Sequence, residues 1–268
     1  MRKLALIGAG RMGGALLTGW LAGGLSEQDI VIVDPYPGEA AQAAIDNGAL
    51  HSSGLTTDEA KGLETVFLAI KPQMFDDLMP AIASVLPPKP RVVSVLAGIT
   101  LAKMEAVFGR RPIIRAMPNT PAAIGKGITG YVLNSACKKS DGTAAANLLK
   151  AGGKVLEVSD EGLIDVVTGI SGSGPAYVFY MVEALCAAGI AAGMPEGDAM
   201  VLARQTIVGA GGLLETSPET AGDLRVAVTS PGGTTQAGLE VLMADNGLKP
   251  LMKAVVKAAV DRSRELGS

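Results

Sequence analysis

The sequence predicts an α/β protein in which a doubly wound, mostly parallel sheet is followed by an all-α domain. Three observations predict this class. Short β-branched apolar runs alternate with alanine-rich stretches through the first 160 residues. A glycine string, Gly8-Ala9-Gly10-Arg11-Met12-Gly13, follows the first of those runs directly. Beyond about residue 160, apolar residues recur at helical spacing with few strand signals. A chain of 268 residues is long enough for two ordinary domains, and the pattern places them at 1–160 and 161–268.

The first strand is Leu4–Ile7. Its basic prelude, Met1-Arg2-Lys3, mimics the start of a secretory signal, but Arg11 breaks the apolar run after seven residues, so a strand is the better reading. Further strands are expected at Ile30–Val33, 66–70, 92–96 and 113–116. Runs that are apolar on both faces and separated by helix-length segments are what a parallel sheet covered by helices on both sides requires. In the second half, helices are expected at 176–192, 196–214 and 247–266. The first of these carries only Glu183 as a charge and is apolar nearly all round, which predicts a homo-oligomer that covers it, the alternative being that it is the central helix of its own domain.

Composition narrows the function classes. Hydrophobic residues make up 48% and charged residues 18%, which excludes a disordered chain. The 23 Lys and Arg against 26 Asp and Glu give a net charge of -3, and no basic cluster interleaves with aromatics, so small molecules are expected as partners rather than nucleic acid or an anionic membrane. Ser171-Gly172-Ser173-Gly174-Pro175 interrupts the most apolar stretch, so no bilayer-spanning segment is expected. Two cysteines, Cys137 and Cys186, and the single His51 supply neither a disulfide framework nor a Cys/His metal site, which fits a reducing cytoplasm.

The glycine string sits in a strand–turn–helix context, which makes it a dinucleotide fingerprint of a Rossmann domain. Gly8 serves the tight turn after Ile7, Gly10 lets the backbone approach a pyrophosphate, and Gly13 lets the helix lie close to the strand, while the amides from Ala9 to Met12 surround the anion. Asp34 ends the second strand where a ribose-binding carboxylate is expected. Taken alone it favours NADH, and the following Pro35-Tyr36-Pro37 holds no arginine to clamp a 2′-phosphate, but a swing of that loop leaves NADPH open. Ala69-Ile70-Lys71-Pro72-Gln73 and Ala97-Gly98 end two further strands and belong to the same ligand-binding edge.

The run Arg115-Ala116-Met117-Pro118-Asn119-Thr120-Pro121 holds Asn119 between two prolines at that edge, either preorganised for ligand or as a plain rigid turn. Two glycine strings in the helical half, 171–177 and 228–235, place amides at helix starts, where an anion binds. Ser173 and Gly174 lie in the first; Ser230, Gly232, Gly233, Thr234 and Thr235 lie in the second. Capping by Ser or Thr explains one hydroxyl per string but not the paired glycines between Pro231 and Thr234.

Taken together, the amino-terminal glycine loop, Ala69-Ile70-Lys71-Pro72-Gln73, Met117-Pro118-Asn119-Thr120-Pro121, Gly169-Ile170-Ser171-Gly172-Ser173-Gly174-Pro175-Ala176-Tyr177 and Val228-Thr229-Ser230-Pro231-Gly232-Gly233-Thr234-Thr235 resemble the pyrroline-5-carboxylate reductases over nearly the whole chain. The resemblance implies reduction of 1-pyrroline-5-carboxylate to L-proline with NADPH or NADH, the last step of proline biosynthesis, by a Rossmann domain joined to a helical dimerisation domain. It also implies that the 230–235 loop holds the substrate carboxylate and that Thr235 faces the ring nitrogen. Hydride addition to a protonated cyclic imine needs no metal or histidine, so orientation is the task left to the protein: amides of Gly232, Gly233 and Thr234 for the carboxylate, Thr235 for the nitrogen, and the 117–121 turn beneath the nicotinamide. Ala227 stands where the family pattern carries an amide side chain, which removes one expected contact. A β-hydroxyacid dehydrogenase of the same plan would want a lysine base on the first long helix of the second domain, and 176–192 has none. A dinucleotide-binding protein without turnover is the other alternative.

Overall fold

The computed structural model describes residues 2–267. Eight strands, β1 (Leu4–Ile7), β2 (Ile30–Val33), β3 (Leu50–Ser52), β4 (Thr65–Leu68), β5 (Arg91–Ser94), β6 (Ile113–Met117), β7 (Gly127–Leu133) and β8 (Gly153–Glu157), form one sheet in the order β3-β2-β1-β4-β5-β6-β7-β8. Neighbours are parallel except β6 and β7. The chain's path reverses at β1, which lies between β2 and β4, so the crevice of this doubly wound sheet opens at the carboxyl ends of β1 and β4.

Every residue of β1, β2 and β4 is buried. Because successive side chains face opposite sides, Leu4, Leu6, Ile30, Ile32 and Phe67 join one core and Ala5, Ile7, Val31, Val33, Val66 and Leu68 join the other. The helices α1 (Arg11–Ala22), α2 (Glu39–Asp46), α3 (Thr57–Ala60), α4 (Phe75–Val85), α5 (Leu101–Phe108) and α6 (Lys139–Leu149) complete these layers. On the first face Trp20 meets Phe67 edge-on at 5.0 Å between ring centroids and donates its indole N–H to the Leu148 carbonyl at 2.8 Å, so α1 is fastened to the end of α6.

Contacts divide the chain into one unit of residues 1–172 with 259–268 and another of 173–258. The border thus falls twelve residues beyond the expected 160/161, and the end of the chain returns to the first unit. The reason lies in α7 (Gly162–Val167), which packs on the sheet: a Cβ on Gly130 of β7 would stand 2.6 Å from a methyl of Val167.

The second unit is helical, with α8 (Gly174–Ala191), α9 (Glu196–Thr216), α10 (Ala221–Ala227), α11 (Thr234–Leu242) and the start of α12 (Leu248–Gly267). Small residues let α8 and α9 approach closely, since a Cβ on Gly189 would meet that of Ala199 at 3.3 Å, and Cys186, Ala199 and Ala203 are buried between them. The larger apolar side chains of α8 face outward; Phe179 and Tyr180 are 62% and 71% exposed. The glycine–serine–proline string does not interrupt the helix as expected. Thr168–Gly172 forms a π turn, Ser173 caps the start of α8, and Pro175 sits in the first turn of α8, where its missing N–H is tolerated. By length and composition alone the 162–191 run is apolar enough to cross a membrane, a test that a core helix passes equally.

The Trp20 bond yields a stability prediction. Trp20→Phe keeps an aromatic ring but removes the indole donor to the Leu148 carbonyl, which retains a backbone N–H, so urea unfolding is expected to show a loss of about 0.5–1.5 kcal/mol.

Candidate functional site

At the end of β1 the backbone turns sharply, with Gly8 at φ +91° and its amide bonded to the Val33 carbonyl at 2.9 Å. A Cβ on Gly8 would lie 2.7 Å from the Ile70 amide nitrogen, and one on Gly13 would collide with the Gly8 carbonyl oxygen. Two of the three fingerprint glycines are therefore needed for packing alone. Gly10 differs. It is exposed, a Cβ there would touch nothing within 4 Å, and it is the cap of α1 without a side-chain partner. Open space beside the start of a helix, next to amides that geometry leaves without intrahelical acceptors, is the cradle a pyrophosphate fits.

Asp34 is held by both oxygens: Oδ2 accepts from the Ala9 amide at 2.7 Å and Oδ1 from the Tyr36 amide at 2.8 Å. Its carbonyl accepts from His51 Nε2 at 2.8 Å. The carboxylate is thus pinned against the glycine loop. The Ala69 amide bonds to the Ile7 carbonyl at 2.8 Å, which sets Ala69 and Ile70 beside that loop, and exposed Lys71 with half-buried Pro72 opens the short turn after them. Ala97 is exposed and Gly98 half-buried at φ +75° beyond β5. The apolar runs at 66–70 and 92–96 overshoot their ladders, so their last residues form these loops instead of strand. Asn119 follows β6 with its Oδ1 accepting from the Ile128 amide at 3.0 Å, and Gly172 packs on Met117, where a Cβ would stand 2.9 Å from Met117 Cε. The structure therefore gathers Ile7 to Gly13, Asp34, Ala69 to Pro72, Ala97, Gly98 and Asn119 at the carboxyl ends of β1, β2, β4, β5 and β6.

In the second unit, Ser173 and Gly174 open α8 and the 230–235 loop opens α11. The loop corrects the expected donor set. The Gly232 amide donates to Gln236 Oε1 at 2.8 Å and the Gly233 amide to the Ser230 carbonyl at 3.0 Å, so both are used within the loop. Gly232 instead supplies a turn at φ +71°, and Gly233 leaves the space that Ser230 Oγ fills. The amides directed outward by helix geometry are those of Thr234, Thr235 and Gln236, the first turn of α11, and Thr234 and Thr235 are exposed. Gln236 was missed in the sequence because its role depends on one rotamer across a turn.

Arg115 and Glu161 were also missed as a pair, although a lone arginine in the apolar strand Ile113–Met117 signals a carboxylate partner. Arg115 is 5% exposed and its Nη1 lies 2.6 Å from Glu161 Oε1. Neither thiol supplies a nucleophile: burial pushes Cys137 above the usual thiol range, and Cys186 is buried. Two cavities of about 880 and 950 Å³ open near Glu64 and Arg91, at the amino ends of β4 and β5, and neither is lined by any expected site residue.

A pyrroline-5-carboxylate reductase of Synechocystis is 38% identical over 265 residues, which span 99% of this chain and 98% of that protein. The chain belongs to the pyrroline-5-carboxylate reductase family. The sequence profile for pyrroline-5-carboxylate reductase dimerisation matches residues 161–266 of this reductase-family chain, and that for NADP oxidoreductase, coenzyme F420-dependent, matches residues 3–98. The crystal structure of the Coxiella burnetii pyrroline-5-carboxylate reductase is similar at a TM-score of 0.92, with 31% identity over 100% of this chain and 99% of that one. The Plasmodium falciparum pyrroline carboxylate reductase, solved with NADP bound, has a TM-score of 0.81 and 27% identity over 100% and 98% of the two chains.

The glycines separate packing from binding. Gly10→Ala is expected to leave the thermal midpoint unchanged while raising the dissociation constant for dinucleotide at least about tenfold. Gly8→Ala is expected to destabilise by at least about 1–3 kcal/mol from its positive φ alone. Calorimetric titration and thermal unfolding of the two variants check this.

Proposed function

We propose that this chain reduces 1-pyrroline-5-carboxylate to L-proline with NADPH or NADH, the last step of proline biosynthesis. Full-length family membership is the observation that carries the reading. The residues fit the dinucleotide, with Ile7 to Gly13 for the pyrophosphate, Asp34 for the ribose, and Ala69 to Pro72, Ala97, Gly98 and Asn119 along the rest of the edge. When bound, the reduced nicotinamide supplies a hydride to the imine carbon.

The protein's own contribution is orientation and a proton path. The amides of Thr234, Thr235 and Gln236 at the start of α11 hold the substrate carboxylate, and Ser230, Gly232 and Gly233 shape the loop that presents them. The family resemblance assigns Ser173 and Gly174 at the start of α8 and, in the first unit, Asn119 to the substrate as well. The Thr235 hydroxyl donates to the nitrogen lone pair of the neutral imine, and the proton passes to nitrogen as hydride reaches the carbon. A hydroxyl is a weak acid, so Thr235 relays a proton from water and does not supply its own. The nitrogen keeps that proton and the carbon keeps the hydride, which balances the reaction.

The pinned carboxylate of Asp34 points to NADH over NADPH. From Asp34 to Glu39 the loop carries two carboxylates and no lysine or arginine, and a 2′-phosphate adds further negative charge beside them. The same reading has the exposed faces of α8 and α9 covered by a second copy of the chain, with no nucleic acid or membrane partner, in the cytoplasm, where two free thiols are stable.

Mixing the purified protein with 1-pyrroline-5-carboxylate and either dinucleotide, while following reduced-nicotinamide absorbance, tests the reaction; no turnover with either rejects it. NADH is expected to exceed NADPH by at least about tenfold in kcat/KM, with Asp34→Ser narrowing the gap. Thr235→Val is expected to lower kcat at least about tenfold, about 1.4 kcal/mol of barrier, while dinucleotide binding persists.

A further inference from the structure

We propose that Glu161 is a positioning residue for the dinucleotide, because one of its oxygens ties the turn that follows β5 to Arg115 of strand β6. The proposal rests on the reading of the first unit's sheet edge as the dinucleotide site. Glu161 Oε1 accepts from Arg115 Nη1 at 2.6 Å and from the Leu101 amide at 2.7 Å. Leu101 is the first residue of α5, three positions after Gly98, and Arg115 lies in β6, four positions before Asn119. Up to Ser94 and Arg115, which are register partners, the sheet ladder holds β5 and β6 together. Beyond that point the strands part, and Ala97, Gly98 and Asn119 lie on the two sides of the fork. Glu161 bridges it.

The bridge has a second strut on the same short helix. Asp165, one turn after Glu161, accepts from Ser263 Oγ at 2.7 Å and lies 3.9 Å from Arg264. Those contacts seat the last turn of α12 against Gly98, where a Cβ would stand 2.9 Å from the Leu266 carbonyl oxygen. The loop carrying Gly98 is thus fixed through its Leu101 end by Glu161 and across its face by the residues that Asp165 holds. Arg115 is 5% exposed and has the half-buried Glu161 as its counter-ion, and loss of that carboxylate leaves the Arg115 charge unpaired and releases the Leu101 end of the turn after β5.

Calorimetric titration with NADH and with NADPH, thermal unfolding, and steady-state kinetics on the full chain test this with Glu161→Ala, Glu161→Gln and the double variant Arg115→Met with Glu161→Gln. The single variants are expected to raise the dissociation constant for the preferred dinucleotide about tenfold or more, with its KM rising in step and the KM for the imine changing less than twofold. The double variant removes both charges together, so it is expected to regain thermal stability while keeping the weakened dinucleotide binding. Folded single variants that bind dinucleotide within twofold of wild type overturn the proposal, as does a double variant that regains affinity along with stability, because either result leaves Glu161 with a purely structural part. Wild-type protein that binds neither dinucleotide overturns instead the reading on which the proposal rests.

Discussion

The architecture depends on one crowded point, where the backbones at Gly8, Gly13 and Ala69 to Ile70 meet with no room for a Cβ. This contact lets α1 start directly above β1 and brings the end of β4 alongside, and so creates the crevice between them. Any side chain there pushes the helix from the strand, and the amides at its start lose their direction. The same close approach accounts for the pinning of Asp34, since the Ala9 amide reaches its carboxylate only because the turn is this tight. Packing and recognition are consequences of one steric constraint.

Much of the first unit was legible because both faces of its central strands are buried. Leu4–Ile7 and Ile30–Val33 coincide with β1 and β2, since a strand covered on both sides must be apolar at every position. The strands that reading missed lie toward the sheet's edges. β3 is Leu-His-Ser, β7 contains two glycines, and none of the five residues of β8 is buried. Their pairing comes from neighbours in space and leaves no periodic mark. Apolar runs also extended past the ladder at 66–70 and 92–96, because the loops at the ligand edge are themselves partly buried.

The candidate site was legible where backbone conformation dictates residue type and illegible where it depends on side-chain reach. The glycine strings at 8–13 and 232–233 announce themselves, since few other residues adopt φ near +91° or +71°. Which amides in the second string remain available could not be read, because Gln236 reaches back over the turn to take that of Gly232. The Arg115 to Glu161 pair spans 46 positions and has no local pattern at all. The outward apolar surface of α8 was foreseen from its composition, whereas the continuity of the helical run through Ser171 to Pro175 was not, because proline is tolerated in a first turn.

The seating of Leu266 beside Gly98 has a temporal consequence for synthesis. Residues 98 and 266 are 168 positions apart in the chain, yet they finish the same surface. A ribosome that has released the entire parallel sheet still holds the segment that closes its ligand edge. Nascent chains must therefore wait, with that edge unfinished, until the segment from residue 259 to 266 has been made.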